Sequence, residues 1–274
     1  MAIIKKMTKK IHKFDNGVCV YDDQLMPAQR QRYRIKNVHE ADEEDLFIKI
    51  ISSIPDDGYF VNIGTAIGYY AILAIKLSPQ LHVHAVEPLE SFRSCFLDNI
   101  KLNNLSIQDF VIHPIAVGAT DGRVNFLEKG YESQLLVSNA RQGMLNQTSM
   151  KIKNLIKAGL GSLGVKRYAA GLGRKSEVDT VTLDTLVKRV GQQVDVMSMD
   201  VQGLEVDILM GGSSVLEQAD VKTFIIGTHG NKIHQRCIKI LSEMNYLIEY
   251  DEPDTAHQPD GIIIASKGVQ RLSA

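Results

Sequence analysis

Two apolar segments in the second half of the chain are each followed by side chains that suit proton transfer. Val194–Met199 leads into Asp200 and Glu205, and Thr223–Ile226 leads into His229, which lies between two glycines. An imidazole has a reference pKa of about 6.5, so it can remove a proton from a hydroxyl near neutral pH. His229 is therefore the first candidate for a general base.

Asp200 and Glu205 are open to several interpretations. Their carboxylates can position a substrate hydroxyl, hold a divalent cation or act as a general base, and the sequence does not choose among these. We expect Gln202 and Glu205 to contact the substrate. The structural alternatives are that Asp200 caps the helix that follows, and that His229 only packs. His234, farther along, is expected at the surface.

A second feature that could bind a ligand is a glycine-bearing turn after an apolar segment. Tyr59–Ile63 runs into Gly64 and Gly68 and then into a helical pattern. Gly64 can adopt backbone angles that a side chain forbids, and Gly68 lets the next helix pack close to the strand. Free amides at the helix start suit a nucleotide-like cofactor. The alternative is a plain tight turn.

Glu87 follows the next predicted strand, Leu81–Val86, about twenty residues beyond the turn. In open α/β sheets a carboxylate in this place accepts hydrogen bonds from the hydroxyls of a cofactor ribose. Pro88 then ends the strand and favours the start of a helix. The alternative is a solvated glutamate at a strand end.

The elements that would position these residues alternate between strands and helices from Tyr59 onward. This alternation predicts an α/β fold with a mostly parallel, doubly wound sheet over residues 41–274, after an N-terminal cap of short strands in residues 1–40. Further strands are predicted at Phe110–Ile115, Tyr246–Tyr250 and Gly261–Ser266, the last two as an antiparallel pair at the sheet edge. The predicted helices are Glu40–Ile51, Leu89–Leu102, Leu204–Met210 and Lys232–Met244.

Residues 133–176 interrupt that alternation. The stretch has eight Lys and Arg residues, no Asp or Glu, and several glycines. A long insertion in a compact domain is often functional. We consider a flap that closes over an anionic substrate, or a solvated helix with a linker.

Composition limits the classes of function. The chain has 274 residues, 44% hydrophobic and 23% charged, with a formal net charge of −1, so no nucleic-acid partner is expected. Cys19, Cys95 and Cys237 are widely spaced and match no metal or disulfide pattern. With no apolar run of membrane-spanning length, the chain is expected to be cytoplasmic.

Taken in order, the motifs resemble the FkbM family of S-adenosylmethionine-dependent methyltransferases over about residues 40–266. The similar segments are Val61-Asn-Ile-Gly-Thr-Ala-Ile-Gly-Tyr-Tyr, Ala85-Val-Glu-Pro, Asn99-Ile-Lys-Leu-Asn103, Ile115-Ala-Val-Gly, Val181-Thr-Leu-Asp-Thr-Leu, Met199-Asp-Val-Gln-Gly-Leu-Glu-Val-Asp-Ile-Leu-Met-Gly-Gly, Gly227-Thr-His-Gly and Asp260-Gly-Ile-Ile-Ile-Ala.

The resemblance implies a class I methyltransferase fold with strand order 3-2-1-4-5-7-6 and methyl transfer to a hydroxyl of a small molecule, sugar, glycan or similar natural product. The S-adenosylmethionine contacts that it implies are Asn62, Gly64, Thr65 and Gly68 at the methionine end, Glu87 at the ribose, and Ala116 and Val117 at the adenine. The resemblance leaves divalent-metal dependence and oligomeric state open. The basic insertion favours an acceptor with phosphate or carboxylate.

Two positions depart from the family pattern. Asn62 stands where the family has Asp, and Gln202 stands where it has Glu. An amide can still accept a hydrogen bond and can also donate one, whereas the loss of a carboxylate at Gln202 weakens any proposal of a metal.

Two rival functions remain. An NAD-dependent oxidoreductase fits the turn and Glu87, but Thr65 and Ala66 replace glycines of the full G-x-G-x-x-G spacing. A non-catalytic protein that holds an anionic or nucleic-acid partner through the basic insertion is the other. Cofactor preference tests the first rival, and activity on a hydroxyl acceptor tests the second.

Overall fold

The computed structural model describes residues 9–127, 134–136, 175–254 and 260–268. The strands in these residues are β1 (Ile11–Lys13), β2 (Cys19–Tyr21), β3 (Tyr59–Ile63), β4 (His82–Val86), β5 (Phe110–His113), β6 (Ala116–Val117), β7 (Gly122–Leu127), β8 (Gln134–Leu136), β9 (Lys175–Val181), β10 (Val194–Met199), β11 (Val221–Thr228), β12 (Leu247–Glu252) and β13 (Gly261–Ser266). The α-helices are α1 (Pro27–Ile35), α2 (Ala41–Ile51), α3 (Tyr69–Leu77), α4 (Glu90–Leu102), α5 (Leu183–Val190), α6 (Glu205–Met210), α7 (Ser213–Gln218) and α8 (Asn231–Glu243).

A seven-stranded sheet in the order β12-β13-β11-β10-β3-β4-β5 forms the centre of the fold. Numbered by their order in the chain, these strands run 6-7-5-4-1-2-3, which is the expected order read from the other edge. β13 pairs antiparallel with both β11 and β12, and the other neighbouring strands pair parallel. The prediction of a mostly parallel α/β sheet with an antiparallel edge pair is confirmed.

The carboxyl ends of β3, β4, β10 and β11 meet at one edge of this sheet, because these strands are parallel neighbours. Each of these ends turns directly toward a helix that starts nearby: α3, α4, α6 or α8. Ligands in open α/β sheets bind at this edge, so the predicted site residues are brought to one place.

Residues 9–40 share their apolar core with the rest of the described protein. Phe14, Val18 and Leu25 are buried in the same apolar cluster as Phe60 of β3 and Ile72 of α3. The predicted cap is therefore packed on the sheet, and it contains helix α1 in addition to the short strands that the sequence suggested. Among the described helices, none combines the length and apolarity needed to cross a membrane.

A second, four-stranded sheet in the order β6-β9-β7-β8 was not predicted. β9 pairs parallel with β6 and antiparallel with β7, so the chain on both sides of residues 137–174 is held in one ladder. The strand predicted at Phe110–Ile115 ends at His113, because Pro114 lacks the amide needed to continue the ladder. Most of the basic insertion predicted at 133–176 lies outside the described residues.

Candidate cofactor and acceptor site

The turn after β3 requires glycine at position 64 for two reasons. Gly64 has φ of +81°, and a Cβ atom there would lie 2.1 Å from the carbonyl oxygen of Asp200. The amides of Gly64 and Thr65 both donate to the carbonyl of Val86, at 3.0 and 3.1 Å. The turn is therefore pressed between the end of β4 and the segment that carries Asp200.

Gly68 has a different role from the one predicted. Its φ is +89°, and an added Cβ would lie 1.9 Å from Cδ2 of Phe96, a fully buried ring on α4. The close approach is thus to helix α4 rather than to the strand. Gly68 is not among the described lining residues of the two cavities defined below, and its contact with a cofactor stays a prediction.

Glu87 is buried at the end of β4, and two backbone amides hold its carboxylate. Oε2 accepts from the amide of Ala66 and Oε1 from the amide of Leu89, each at 2.9 Å. Burial raises the pKa of Glu87 to about 7, although these two hydrogen bonds and Arg93 act in the lowering direction. Each oxygen keeps a further lone pair for a ligand hydroxyl.

The Glu87 cavity, as we call it, has an open volume of about 700 Å³. Its wall is largely apolar, with Glu87 as a polar anchor. The described lining residues are Ile63, Gly64, Ala66, Val86, Glu87, Pro88, Leu89, Phe92, Ile115, Ala116, Val117, Phe126, Asp200, Val201, Gln202 and Leu204. Ala116 and Val117 belong to this wall, and their contact with an adenine stays a prediction.

A second cavity, called the Glu43 cavity, adjoins the first and has an open volume of about 1440 Å³. It lies between the segment that carries α1 and α2 and the ends of β3 and β10, and it shares Gly64, Ala66, Asp200 and Gln202 with the Glu87 cavity. The described lining residues are Met26, Ala28, Gln29, Arg32, His39, Glu40, Glu43, Asn62, Gly64, Thr65, Ala66, Ile67, Tyr69, Tyr70, Ser198, Met199, Asp200, Gln202 and Asp260.

Asn62 and Thr65 line this second cavity near its junction with the first. Asn62 is 5% exposed, and its Nδ2 donates to Oγ of Ser198 at 2.9 Å. The Thr65 hydroxyl donates to the carbonyl of Asn62 at 2.8 Å, which fixes the turn. Ala66 and Gln202 both have left-handed backbone angles, with φ of +48° and +56°. Non-glycine residues with such angles concentrate at functional sites.

His229 is surrounded by carboxylates. Its Nδ1 lies 2.7 Å from Oε1 of Glu205, and its Nε2 lies 3.3 Å from Oδ1 of Asp200 and 3.4 Å from Oδ1 of Asp260. Nε2 completes no hydrogen bond within the described residues, since neither contact has suitable angles. Burial lowers the pKa of His229, but Glu205, Asp200 and Asp260 together raise it to about 9. The ring is therefore protonated at neutral pH.

Glu205 lies behind His229 and is 0% exposed. Its Oε1 also accepts from the amide of Gly203 at 3.1 Å. The enclosed carboxylate fixes the orientation of the His229 ring, and its contact with a substrate stays a prediction. Gln202, by contrast, lines both cavities.

Asp200 is the acidic residue that lines both cavities, and its side chain is 48% exposed. Burial in the crevice, which is the largest effect, and the nearby carboxylates of Glu40, Asp260 and Glu205 raise the pKa of Asp200 to about 7. His229 acts in the lowering direction. Solvent at the exposed half of the side chain moderates these interactions. A carboxyl with a pKa in this range can both accept and release a proton near neutral pH.

Three acidic residues of the site were not predicted from the sequence, and one histidine that was expected at the surface is buried. Glu40, Glu43 and Asp260 come from outside the central motifs, and only the acidic start of α2 gave a signal. His234, expected at the surface, is 0% exposed and lies 2.7 Å from both Oγ1 of Thr228 and Oδ1 of Asp251. Within the described ranges no three His, Cys, Asp or Glu side chains are arranged as metal ligands.

Comparison with known proteins identifies the chain. A family model described as the methyltransferase FkbM domain matches residues 62–248, which include both cavity-lining turns. The chain belongs to the FkbM methyltransferase family. A curated relative from Jannaschia sp. (strain CCS1), named as a methyltransferase, is 31% identical over 85 residues, which make up 31% of this chain and 29% of that relative.

Two solved structures have limited similarity to this member of the FkbM family. The FkbM methyltransferase of Methylobacillus flagellatus KT has 13% identity and a TM-score of 0.49, and the match covers 78% of this chain and 47% of that one. A methyltransferase of Streptococcus mutans, solved with S-adenosylhomocysteine (SAH), has 8% identity and a TM-score of 0.48, with 82% and 97% coverage. At these scores neither structure carries weight for the chemistry of the site.

Proposed function

We propose that this FkbM methyltransferase uses S-adenosylmethionine and transfers its methyl group to a hydroxyl of a small molecule, sugar or glycan. One observation supports this above all: the Glu87 cavity, with its carboxylate anchor and apolar wall, shares Gly64 and Asp200 with the larger Glu43 cavity. A cofactor in the first cavity would direct its reactive end toward an acceptor in the second.

The residues of the Glu87 cavity fit the adenosine half of this cofactor. Glu87 already accepts two amide hydrogen bonds and has lone pairs left for both ribose hydroxyls, while Ala116 and Val117 offer an apolar surface to the adenine. Asn62, Gly64 and Thr65 lie at the junction of the cavities, where the methionine end would extend. When bound, the cofactor supplies a methyl group on a sulfonium, which is a good leaving group.

The protein's main contribution is then alignment of the acceptor and removal of its proton. His229 holds a proton below about pH 9, so it is not free to act as the base at neutral pH. Asp200 is the better candidate, because it lines both cavities and its pKa is raised to about 7. We therefore assign proton removal to Asp200, with His229 as a positioning residue held by Glu205.

Asp200→Asn tests this assignment. Loss of a general base lowers turnover by about 10²–10⁴-fold. Affinity for S-adenosylmethionine should stay within a few-fold, since the carboxylate acts on the acceptor. Turnover would be followed as methyl transfer from labelled S-adenosylmethionine to acceptors found in a screen of sugars and small hydroxylated compounds.

Asp56→Asn is the matched control, because Asp56 is exposed in the turn that precedes β3, at the opposite end of the strand from the site. It should leave turnover unchanged. Full turnover by Asp200→Asn would remove Asp200 from the proton-transfer step.

A further inference from the structure

The Glu43 cavity has the position of an acceptor site. It shares Gly64, Ala66, Asp200 and Gln202 with the Glu87 cavity, so a molecule inside it would lie against the reactive end of the cofactor. Its outer wall comes from α1, α2 and the segment between them, which the family model does not include, since that match begins at residue 62.

The charges on that wall are mostly negative. Glu40, Glu43, Asp200 and Asp260 contribute four carboxyl groups to the lining. Arg32 is the one Lys or Arg among the described lining residues, and it lies 3.6 Å from Glu40. The single positive charge of His229 is shared among three carboxylates, those of Asp200, Asp260 and the buried Glu205.

The remaining basic group in the lining, His39, adds no positive charge. Burial lowers the pKa of its imidazole, which is the largest effect on that group, and its Nδ1 lies 2.6 Å from the Tyr33 hydroxyl. The cavity therefore holds more carboxyl groups than cations to balance them.

Glu43 gives an independent sign that a cation belongs in this space. It lines the cavity but is only 8% exposed, and it forms no salt bridge with any described residue. The groups nearest to it are carboxyls. Burial, the neighbouring carboxyls of Glu40, Asp200 and Asp260, and a hydrogen bond with Glu40 raise the pKa of Glu43 well above its usual range. A buried carboxyl without a cationic partner is unfavourable in its charged form, and a cation placed beside it removes that cost.

We propose that the Glu43 cavity binds a hydroxyl acceptor that also carries an ammonium group, with the ammonium between Glu43 and the Asp200–Asp260 side of the cavity. This inference rests on the proposed methyl transfer and narrows its substrate class. It is opposite to the anionic acceptor that the basic stretch 133–176 suggested, because the described walls of the cavity favour a positive charge.

The test is binding of amino sugars to the full-length protein saturated with SAH. The probes are glucosamine and its β-1,4-linked dimer and trimer, and their N-acetylated forms are neutral controls of similar shape. Titration calorimetry and ligand-observed NMR would give the affinities. SAH fills the place of the cofactor's own amino group, so any remaining preference for a cation belongs to the acceptor cavity.

We expect at least one amino form to bind about tenfold or more tightly than its N-acetylated counterpart, with affinity that falls as salt is raised. Glu43→Gln should reduce this preference several-fold, while Glu217→Gln, at an exposed position of α7, should not. Ala28→Lys, at an exposed position in the cavity lining, should also weaken amino-sugar binding, because it adds a tethered ammonium.

The proposal is overturned if SAH binds but no amino form does, or if the neutral forms bind equally well. It is also overturned if Glu43→Gln, folded and able to bind SAH, keeps the full preference. Failure of SAH itself to bind would be a different result, since it would contradict the proposed function rather than the charge of the acceptor.

Discussion

The two cavities share the wall at Gly64 and Asp200, yet their carboxyl groups have opposite surroundings. In the Glu87 cavity one carboxylate is held by two backbone amides against an apolar wall. In the Glu43 cavity several carboxyl groups lie together, and Glu43 has no cationic partner among the described residues. The first arrangement suits a ligand of constant structure, and the second suits a ligand that brings a positive charge to the carboxyl groups.

Gly64→Ala should disturb both cavities at once and have the broadest effect of the variants that follow. Its Cβ would lie 2.1 Å from the Asp200 carbonyl oxygen, so the turn and the Asp200 segment must separate at the junction of both cavities. Overpacking of this kind costs about 1–3 kcal/mol, which corresponds to roughly a 5- to 150-fold loss of S-adenosylmethionine affinity by calorimetry if the cost falls on the binding-competent turn.

Gly191→Ala separates this collision from backbone strain. Gly191 has a similar φ of +76°, but nothing lies within 4 Å of the Cβ that would be added. It should lower the melting temperature slightly and leave cofactor affinity unchanged. Equal losses of affinity in the two variants would show that close packing at Gly64 is not what shapes the cavities.

His229→Asn should shift the pH dependence of turnover. The positive ring lowers the pKa of Asp200, so its removal raises that pKa. The rising limb of kcat/KM, expected near pH 7 for the unaltered protein, should therefore move upward by about one pH unit. His82→Asn, at an exposed position of β4, should leave the limb in place. A limb near pH 9 that disappears in His229→Asn would instead make His229 the base.

Glu87→Gln should have an effect confined to the first cavity. One oxygen becomes an amide nitrogen that faces a backbone N–H, so we expect roughly tenfold weaker S-adenosylmethionine binding and an unchanged preference among acceptors. In the unaltered protein, affinity should fall as the pH drops through about 7 and Glu87 takes up a proton. The variant should lack this dependence, and Glu90→Gln, exposed at the start of α4, should retain it.

The cofactor side of the molecule was more predictable from sequence than the acceptor side. The turn at Gly64 and the carboxylate of Glu87 belong to one local strand-turn-helix pattern, so their spacing along the chain fixes their place in the fold. The bounds of β10 and β13 were predicted in full, because both are apolar segments that end at polar residues.

The acceptor side depends on contacts between distant segments. Glu43 reads as part of an amphipathic helix, and Asp260 as the residue before an edge strand, until the fold brings them to the same cavity. His229 and His234 are five positions apart. His229 lies at the crevice beside three carboxylates, whereas His234 is buried between Thr228 and Asp251. Sequence spacing does not contain that information.

The most direct test of the account is calorimetric titration of the protein with S-adenosylmethionine, SAH and NAD in parallel. The account predicts that the first two bind at one site per chain, that NAD does not, and that Gly64→Arg abolishes binding while Gly191→Ala does not. Binding of NAD alone, or of none of the three, would contradict the assignment of the Glu87 cavity to S-adenosylmethionine.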